Sequence, residues 1–81
     1  MDEKSILRRI DELVDEEHEL RARLRDGQIS TDEEHARLRE LEIALDQAWD
    51  LLRRRRAAQA SGGDPDRVEP RPADEVERYL Q

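Results

Sequence analysis

The sequence predicts an all-α protein: an antiparallel two-helix hairpin, coiled-coil-like in its packing, that pairs with a second copy into a dimeric four-helix bundle. Two long stretches carry apolar residues at helical spacing, and a glycine-containing segment at residues 26–30 separates them. The chain has 81 residues, of which 35% are apolar, with no Phe, one Trp and one Tyr. So small a chain encloses little core alone, and we therefore expect a second copy to complete it.

The first helix is predicted over residues 2–25. Its apolar side chains fall within roughly 140° of the helix circumference, which is typical of an amphipathic helix with one solvated face. Leu7 and Val14 widen this face beyond the narrow seam of a two-stranded coiled coil. The apolar residues are Ile6, Leu7, Ile10, Leu13, Val14, Leu20 and Leu24.

A tight turn is predicted over residues 26–30. Gly27 can adopt the left-handed conformation that ends a helix, and Asp26 before it disfavours continuation. Ser30 is predicted to cap the second helix, accepting a hydrogen bond from the backbone amide of Glu33 while the Glu33 carboxylate reaches back to the Ser30 amide.

The second helix is predicted over residues 31–59. Its seam has alternating spacings of three and four and consists of Leu38, Leu41, Leu45, Ala48 and Leu52. Side chains on both sides of this seam widen the face to roughly 160°, which is more than one antiparallel helix covers. A second hairpin is expected to cover the remainder. The residues predicted to mediate self-association are Leu7, Val14, Ala44, Ala48, Trp49 and Leu51.

Antiparallel pairing places most of the apolar mass away from the turn, which predicts a polar, mobile tip. Glu17 interrupts the apolar stripe near the tip and is predicted to pair with Arg37 or Arg39 across the hairpin. The candidate core residues are Ile6, Leu7, Ile10, Leu13, Leu41, Leu45, Ala48, Trp49 and Leu52. The acidic residues of the tip are Asp26, Asp32, Glu33 and Glu34.

Beyond the hairpin the composition changes. Four arginines, residues 53–56, form a collar predicted to complement the C-terminal helix dipole and to attract acidic groups of the tail or of a neighbouring subunit. Residues 61–72 contain two glycines and all three prolines and are predicted to be a linker. Residues 73–81 can form a short helix with Val76, Tyr79 and Leu80 on one face. This segment can dock on its own bundle, swap onto a partner, stay disordered or recognise another protein.

Composition narrows the classes of partner. The net charge is −7, and most of the surface therefore repels nucleic acid and anionic lipid. The absence of cysteine removes disulfides and thiolate chemistry. An acidic N-terminus followed by arginines shows neither a signal peptide nor a membrane span, and we expect a cytoplasmic protein. The expected partners are a second copy and an unidentified protein, with no small-molecule substrate and no cofactor.

The most suggestive site pattern is a repeated acidic tetrad ending in histidine, at residues 15–18 and 32–35. Di-metal helical bundles use an inward-facing Glu followed three residues later by His. Here the inward-facing residues are Glu17 and Glu34, and Leu20 and Arg37 follow at that spacing. No metal site is therefore predicted. No catalytic residue is predicted either, because no nucleophile lies beside a general base.

The sequence resembles a small family of uncharacterised proteins from high-GC Gram-positive bacteria, known as a domain of unknown function, number twenty-six thirty. The resemblance spans nearly the whole chain and is carried by residues 16–20 (EEHEL), 27–30 (GQIS), 33–38 (EEHARL), 45–53 (LDQAWDLLR) and 76–81 (VERYLQ). Family members usually have Pro where this chain has Thr31, which favours Ser30 as the helix cap. The resemblance implies no activity and no catalytic residue.

The leading hypothesis is a non-enzymatic protein-interaction or scaffold module that self-associates through its hairpin. One alternative is a transcription-related regulator that inserts the acidic tip into a basic channel, by analogy of shape and charge with hairpin factors of RNA polymerase. Another is a metal-binding protein of the bundle type.

Overall fold

A computed structural model describes residues 2–28 and 31–80. Within these ranges the chain forms helices and no strands: α1 (Glu3–Arg25), α2 (Asp32–Ala60), a 3-10 turn (Pro65–Arg67) and α3 (Ala73–Leu80). The all-helical class and the pairing of two long helices are therefore confirmed. α2 is the central element, because α1, the 3-10 turn and α3 all pack on it, whereas the described part of α1 contacts neither of the other two. None of the described helices is long and apolar enough to cross a membrane.

The core lies between α1 and α2 and is made by the aliphatic residues of the two predicted stripes. It extends closer to the tip than expected, because Leu20 and Leu38 are both buried. Trp49 is the main departure from the predicted core, since 40% of its surface is exposed. Leu7 and Ala48 are partly buried at the core's edge. The buried apolar residues are Ile6, Ile10, Leu13, Leu20, Leu38, Leu41, Leu45, Leu51, Leu52 and Val76.

α1 ends as predicted at Gly27, which has a φ of +72°. The amide of Gln28 donates to the carbonyl of Arg23 at 2.7 Å, and the amide of Gly27 donates to that of Leu24 at 3.1 Å. This pair of bonds satisfies carbonyl groups that the helix end would otherwise leave unpaired. The left-handed conformation at Gly27 is therefore what lets the chain leave α1 and turn back.

Gly27→Ala is expected to lower the free energy of unfolding by about 1 kcal/mol, because a β-carbon disfavours the left-handed conformation. Apart from Gly27 and its chain neighbours, no atom of the described residues lies within 4 Å of the position that this β-carbon would occupy, so the loss comes from the backbone alone. Urea denaturation followed by circular dichroism measures it. Gly27→Asn is the matched control and should lose less, since asparagine tolerates this conformation better. Equal losses in the two variants would contradict the assignment.

α2 begins one residue later than predicted, with Thr31 as its cap in place of Ser30. Thr31 is extended (φ −115°, ψ 149°), and its Oγ1 accepts a hydrogen bond from the Glu34 amide at 3.2 Å. The Thr31 hydroxyl also lies 3.4 Å from the Glu34 carboxylate. The predicted interaction between Ser30 and Glu33 is thus shifted by one residue, since threonine caps a helix nearly as well as serine. Ser30 itself lies outside the described residues.

The chain beyond α2 folds back along the helix. Gly62, with a φ of +84°, ends α2 in the same manner as Gly27 ends α1. Asp64 then accepts a hydrogen bond from the amide of Asp66 at 2.9 Å and starts the 3-10 turn at Pro65. The region predicted to be a linker is therefore packed on α2 through this turn. It returns the chain towards the middle of α2, where α3 lies.

Candidate interaction surfaces

One side of the hairpin presents an apolar patch that we call the Trp49 face, made of Leu7, Val14 and Trp49. Arg21 of α1 pairs with Glu42 of α2, and Arg56 of α2 lies 2.9 Å from Glu3 of α1. On α2, Trp49 lies seven residues after Glu42 and seven residues before Arg56. On α1, Val14 lies seven residues before Arg21. Because residues seven apart share a side of a helix, the three apolar residues lie between these two ion pairs. Leu7 and Val14 pack against the core, whereas Trp49 is the most exposed of the three.

The six residues predicted to mediate self-association do not form one surface. Leu51 is buried within the chain, with 7% exposed. It lies four residues from both Gln47 and Arg55, and these two residues hydrogen-bond the carbonyls of Arg71 and Pro65. Leu51 and, seven residues earlier, Ala44 are therefore on the side of α2 where the C-terminal segment binds. Ala48 is partly buried against the core. Of the six residues, therefore, only the three of the Trp49 face remain available to a second copy.

A buried ion pair fastens the C-terminal segment to α2. Asp50 is 5% exposed, and both of its carboxylate oxygens accept hydrogen bonds from the Arg71 guanidinium, one of them from Nε at 3.0 Å. The hydrogen bonds from Arg71 hold the pKa of Asp50 below its ordinary value. The Arg71 guanidinium also stacks over the Tyr79 ring, 4.6 Å from its centroid. Arg71 thus connects α2, the extended segment and α3.

The sequence interpretation missed this pair because Asp50 carries no local signal. It is one acid among many on α2, and only the position of the returning chain brings Arg71 to it. The one local sign was the Pro70-Arg71-Pro72 stretch, since proline on both sides restricts the backbone that presents the arginine.

Three of the four arginines at residues 53–56 make tertiary contacts instead of closing α2. α2 continues to Ala60, and its last turn contains no basic residue. Arg55 is buried and binds the carbonyl of Pro65 at 2.9 Å and the carboxylate of Asp66 at 3.0 Å. Arg54 donates to the carbonyl of Glu69 at 2.8 Å. The predicted dipole role is wrong, because these side chains lie a turn too early in the helix. The predicted attraction to acidic groups of the tail is confirmed for Arg55, which binds Asp66.

The apolar triad of the tail is only partly docked. Val76 is 1% exposed, whereas Tyr79 and Leu80 are 76% and 54% exposed. α3 therefore binds α2 through a single buried aliphatic side chain together with the Arg71 contacts. Two large apolar side chains are left in contact with solvent next to this junction.

A pair of carboxyl groups lies at the junction of α2 and α3. Oε1 of Glu77 is buried and has no hydrogen-bond partner among the described residues. The neighbouring carboxyl of Asp46, together with burial, raises the pKa of Glu77 above its ordinary value of 4.5. Two ionised carboxylates cannot hydrogen-bond each other, whereas a protonated Glu77 can donate to Asp46.

Docking of α3 is therefore expected to strengthen as the pH falls from 7 to about 4.5. The docked state has the higher Glu77 pKa and so binds the proton more tightly than the undocked state. Hydrogen exchange of the α3 amides, corrected for the intrinsic pH dependence, measures the effect. Glu77→Gln should abolish the pH dependence in this window, and Asp74→Asn on the same helix should retain it. Protection that rises with pH would contradict the assignment.

The acidic tip is partly neutralised by its own chain. Glu34 lies 2.6 Å from Arg23 across the hairpin, and Asp26 lies 3.7 Å from Arg25. Asp32 and Glu33 are exposed in the first turn of α2, where their charge favours the helix dipole. These positions have a structural explanation, and nothing in them favours insertion into a basic channel.

The ion pair predicted for Glu17 is wrong. Glu17 lies 2.7 Å from Arg21, four residues along its own helix. The cross-hairpin partner of Arg37 is Glu16, which accepts two hydrogen bonds at 2.7 and 3.1 Å. These bonds hold the pKa of Glu16 below its ordinary value. Glu17 instead pairs with Arg21, which also reaches Glu42 of α2, and the neighbouring Glu16 reaches Arg37.

The repeated acidic tetrads do not gather into a metal-binding group. Both histidines, His18 and His35, are exposed. Within residues 2–28 and 31–80, no group of three or more His, Asp or Glu side chains has the geometry to hold a metal ion. No observation therefore favours the metal-binding hypothesis.

This geometry defines a class: a small all-helical protein in which a two-helix hairpin carries a C-terminal segment docked on its second helix. The chain belongs to the family described as "Protein of unknown function (DUF2630)", whose model matches residues 2–81. The resemblance noted from the sequence is thereby confirmed.

Relatives are found in mycobacteria. The chain is 58% identical over 73 residues to "Uncharacterized protein Rv0898c" of Mycobacterium tuberculosis (strain ATCC 25618 / H37Rv). It has the same identity to "Uncharacterized protein Mb0922c" of Mycobacterium bovis (strain ATCC BAA-935 / AF2122/97). Each match covers 90% of this chain and 84% of the relative. No solved structure matches the chain. The names of these relatives indicate no activity.

Proposed function

We propose that the chain is a non-enzymatic protein-interaction module that self-associates through the Trp49 face. The observation that carries the proposal is the 40% exposure of Trp49 beside the two partly buried aliphatic residues of this face. Tryptophan is enriched at the centres of protein interfaces, where its large apolar surface gains most from exclusion of water. A second copy that brings the same face would cover the indole.

The shape of the hairpin suits such a pairing. The molecule measures 49 × 25 × 16 Å, so one long side can supply the roughly 800 Å² per partner that a standard interface buries. A two-fold pairing uses the same face on both copies and therefore closes after two subunits. Since each copy carries a net charge of −7, added salt should screen their repulsion and strengthen the dimer.

A groove lies between α2 and α3, and the non-enzymatic part of the proposal rests on its chemistry. Asp50 is the carboxylate that lines this groove. It is engaged by Arg71 and Arg54, and its pKa is lowered. A general base works best with a pKa near the operating pH, and Asp50 departs from that requirement.

Light scattering over a dilution series tests the proposal on the full chain and two single variants. Trp49→Glu places a charge in the centre of the face, and Ala36→Glu places the same charge on an exposed position of α2 outside it. We expect wild type and Ala36→Glu to form dimers at high concentration and Trp49→Glu to stay monomeric, with helix content unchanged by circular dichroism. A wild-type monomer at every concentration, or a dimer of Trp49→Glu, would overturn the proposal.

A further inference from the structure

A groove of about 440 Å³ runs between α2 and the C-terminal segment. Its walls combine apolar side chains with guanidinium groups, namely Ala57, Val76, Tyr79 and Leu80 with Arg53 and Arg54, and the Asp50–Arg71 pair closes one side. We call it the Arg53 groove. It lies between the side of α2 that binds the tail and the Trp49 face, which it borders because Arg53 follows Trp49 by four residues, about one helical turn.

The charge of the groove is positive, in contrast to the molecule as a whole. Asp50 is already neutralised by Arg71 and also accepts from Arg54, which donates to the Glu69 carbonyl as well; this leaves Arg53 as the cation of the rim. Arg53 is exposed and makes no ion pair or hydrogen bond with any residue that the structure describes. Its neighbours Arg55 and Arg56 are held by Asp66 and Glu3. The groove thus offers a guanidinium for which the described residues supply no carboxylate.

The apolar surface extends beyond the groove itself. Tyr79 and Leu80 line it and remain 76% and 54% exposed, so a ligand confined to the groove would leave much of both side chains in water. Their burial requires an occupant that continues across the surface of α3. This favours a segment of a macromolecule over a small molecule, since small-molecule sites bury most of their ligand within a cavity.

We propose that the Arg53 groove binds an acidic segment of a partner protein, with an aliphatic or aromatic side chain against Ala57, Tyr79 and Leu80 and a carboxylate on Arg53. Arginine pairs with carboxylates through parallel hydrogen bonds, which gives such a contact direction as well as charge. The groove combines this pairing with an apolar anchor, the arrangement typical of interface hot spots. Nucleic acid is disfavoured, because the basic rim is short and the rest of the molecule is acidic.

The probes for the test are fluorescein-labelled peptides in which a central Leu-Phe, Phe-Leu or Leu-Trp pair is flanked on both sides by Asp-Glu. Fluorescence anisotropy with the full chain should show saturable binding of at least one peptide. Replacing its acids with Asn and Gln, or the protein's Arg53 with Gln, should weaken binding about tenfold. Arg39→Gln is the matched control, because Arg39 is an exposed arginine of α2 away from the groove, and it should bind as wild type does.

Two further measurements fix the location and the occupant. Ala57→Phe fills the groove without a change of charge and should abolish binding, and peptide-induced NMR shifts should cluster at residues 53–57 and 76–80. Shifts centred on Trp49, equal affinity of Arg53→Gln and wild type, or no saturable binding of any peptide would overturn the proposal. Shifts of Tyr79 and Leu80 on the α3 wall, on concentrating the protein alone, would also overturn it, since the occupant would then be a second copy. Added salt separates this binding from self-association, because it should weaken the peptide complex and strengthen the dimer.

Discussion

Leu41→Ala is expected to remove most of the stability of the hairpin. Leu41 is 1% exposed and lies in the middle of the core between α1 and α2. Truncating a fully buried leucine costs about 2–5 kcal/mol, because the transfer free energy is lost and a cavity remains. In a chain this small, a single core supplies only about 3–5 kcal/mol of stability. We therefore expect the midpoint of thermal unfolding to fall by more than about 10 °C.

Leu24→Ala is the matched control for this prediction. It removes the same atoms near the tip from a side chain that is 40% exposed, so the expected loss is below about 1 kcal/mol. Thermal and urea denaturation, both followed by circular dichroism, measure the two variants under identical conditions. Comparable losses in the two would contradict the placement of the core.

Asp50→Asn is expected to release the C-terminal segment while the hairpin stays folded. The change removes the carboxylate that the Arg71 guanidinium binds. Because Asp50 is only 5% exposed, the group left without its partner is buried, and such an unsatisfied group costs about 1–3 kcal/mol. α3 has eight residues and cannot hold its own helix once undocked. Hydrogen exchange should therefore show a loss of protection over 73–80, with the α1 and α2 amides largely unchanged.

Arg71→Ala should reproduce this release, and the double variant should lose little more than either single change, because both remove the same interaction. Arg78→Ala is the control: its 4.0 Å pair with Asp74 is exposed, and docking should be unaffected. If α3 keeps its protection in Asp50→Asn, the ion pair is not what holds the segment.

The local parts of the fold were predictable because each is determined by a few neighbouring residues. The stripes of Ile and Leu define both helices, and Gly27 marks the turn through its own backbone preference. The helix cap was displaced by one residue because Ser30 and Thr31 are adjacent and both can cap. Boundaries depend on such near-equal choices, whereas the existence of a long periodic helix does not.

The arrangement of the candidate surfaces was less predictable, since it depends on contacts between residues distant in sequence. A helical wheel shows that Leu51 and Trp49 flank the seam of α2, yet it does not show which flank the returning chain covers. That choice depends on the meeting of Arg71 with Asp50 and of Arg55 with Asp66, separated by 21 and 11 residues. The Arg53 groove was missed for the same reason, because its walls come from α2 and α3 together.

The most direct test of self-association through the Trp49 face is the fluorescence emission of the chain over a dilution series. Trp49 is the only tryptophan, so the spectrum reports on this face alone. If a second copy covers the indole, the emission should shift to shorter wavelength as concentration rises, with the same midpoint as the change in mass by light scattering. An emission maximum that stays constant while the mass doubles would place the dimer interface elsewhere and contradict the proposal.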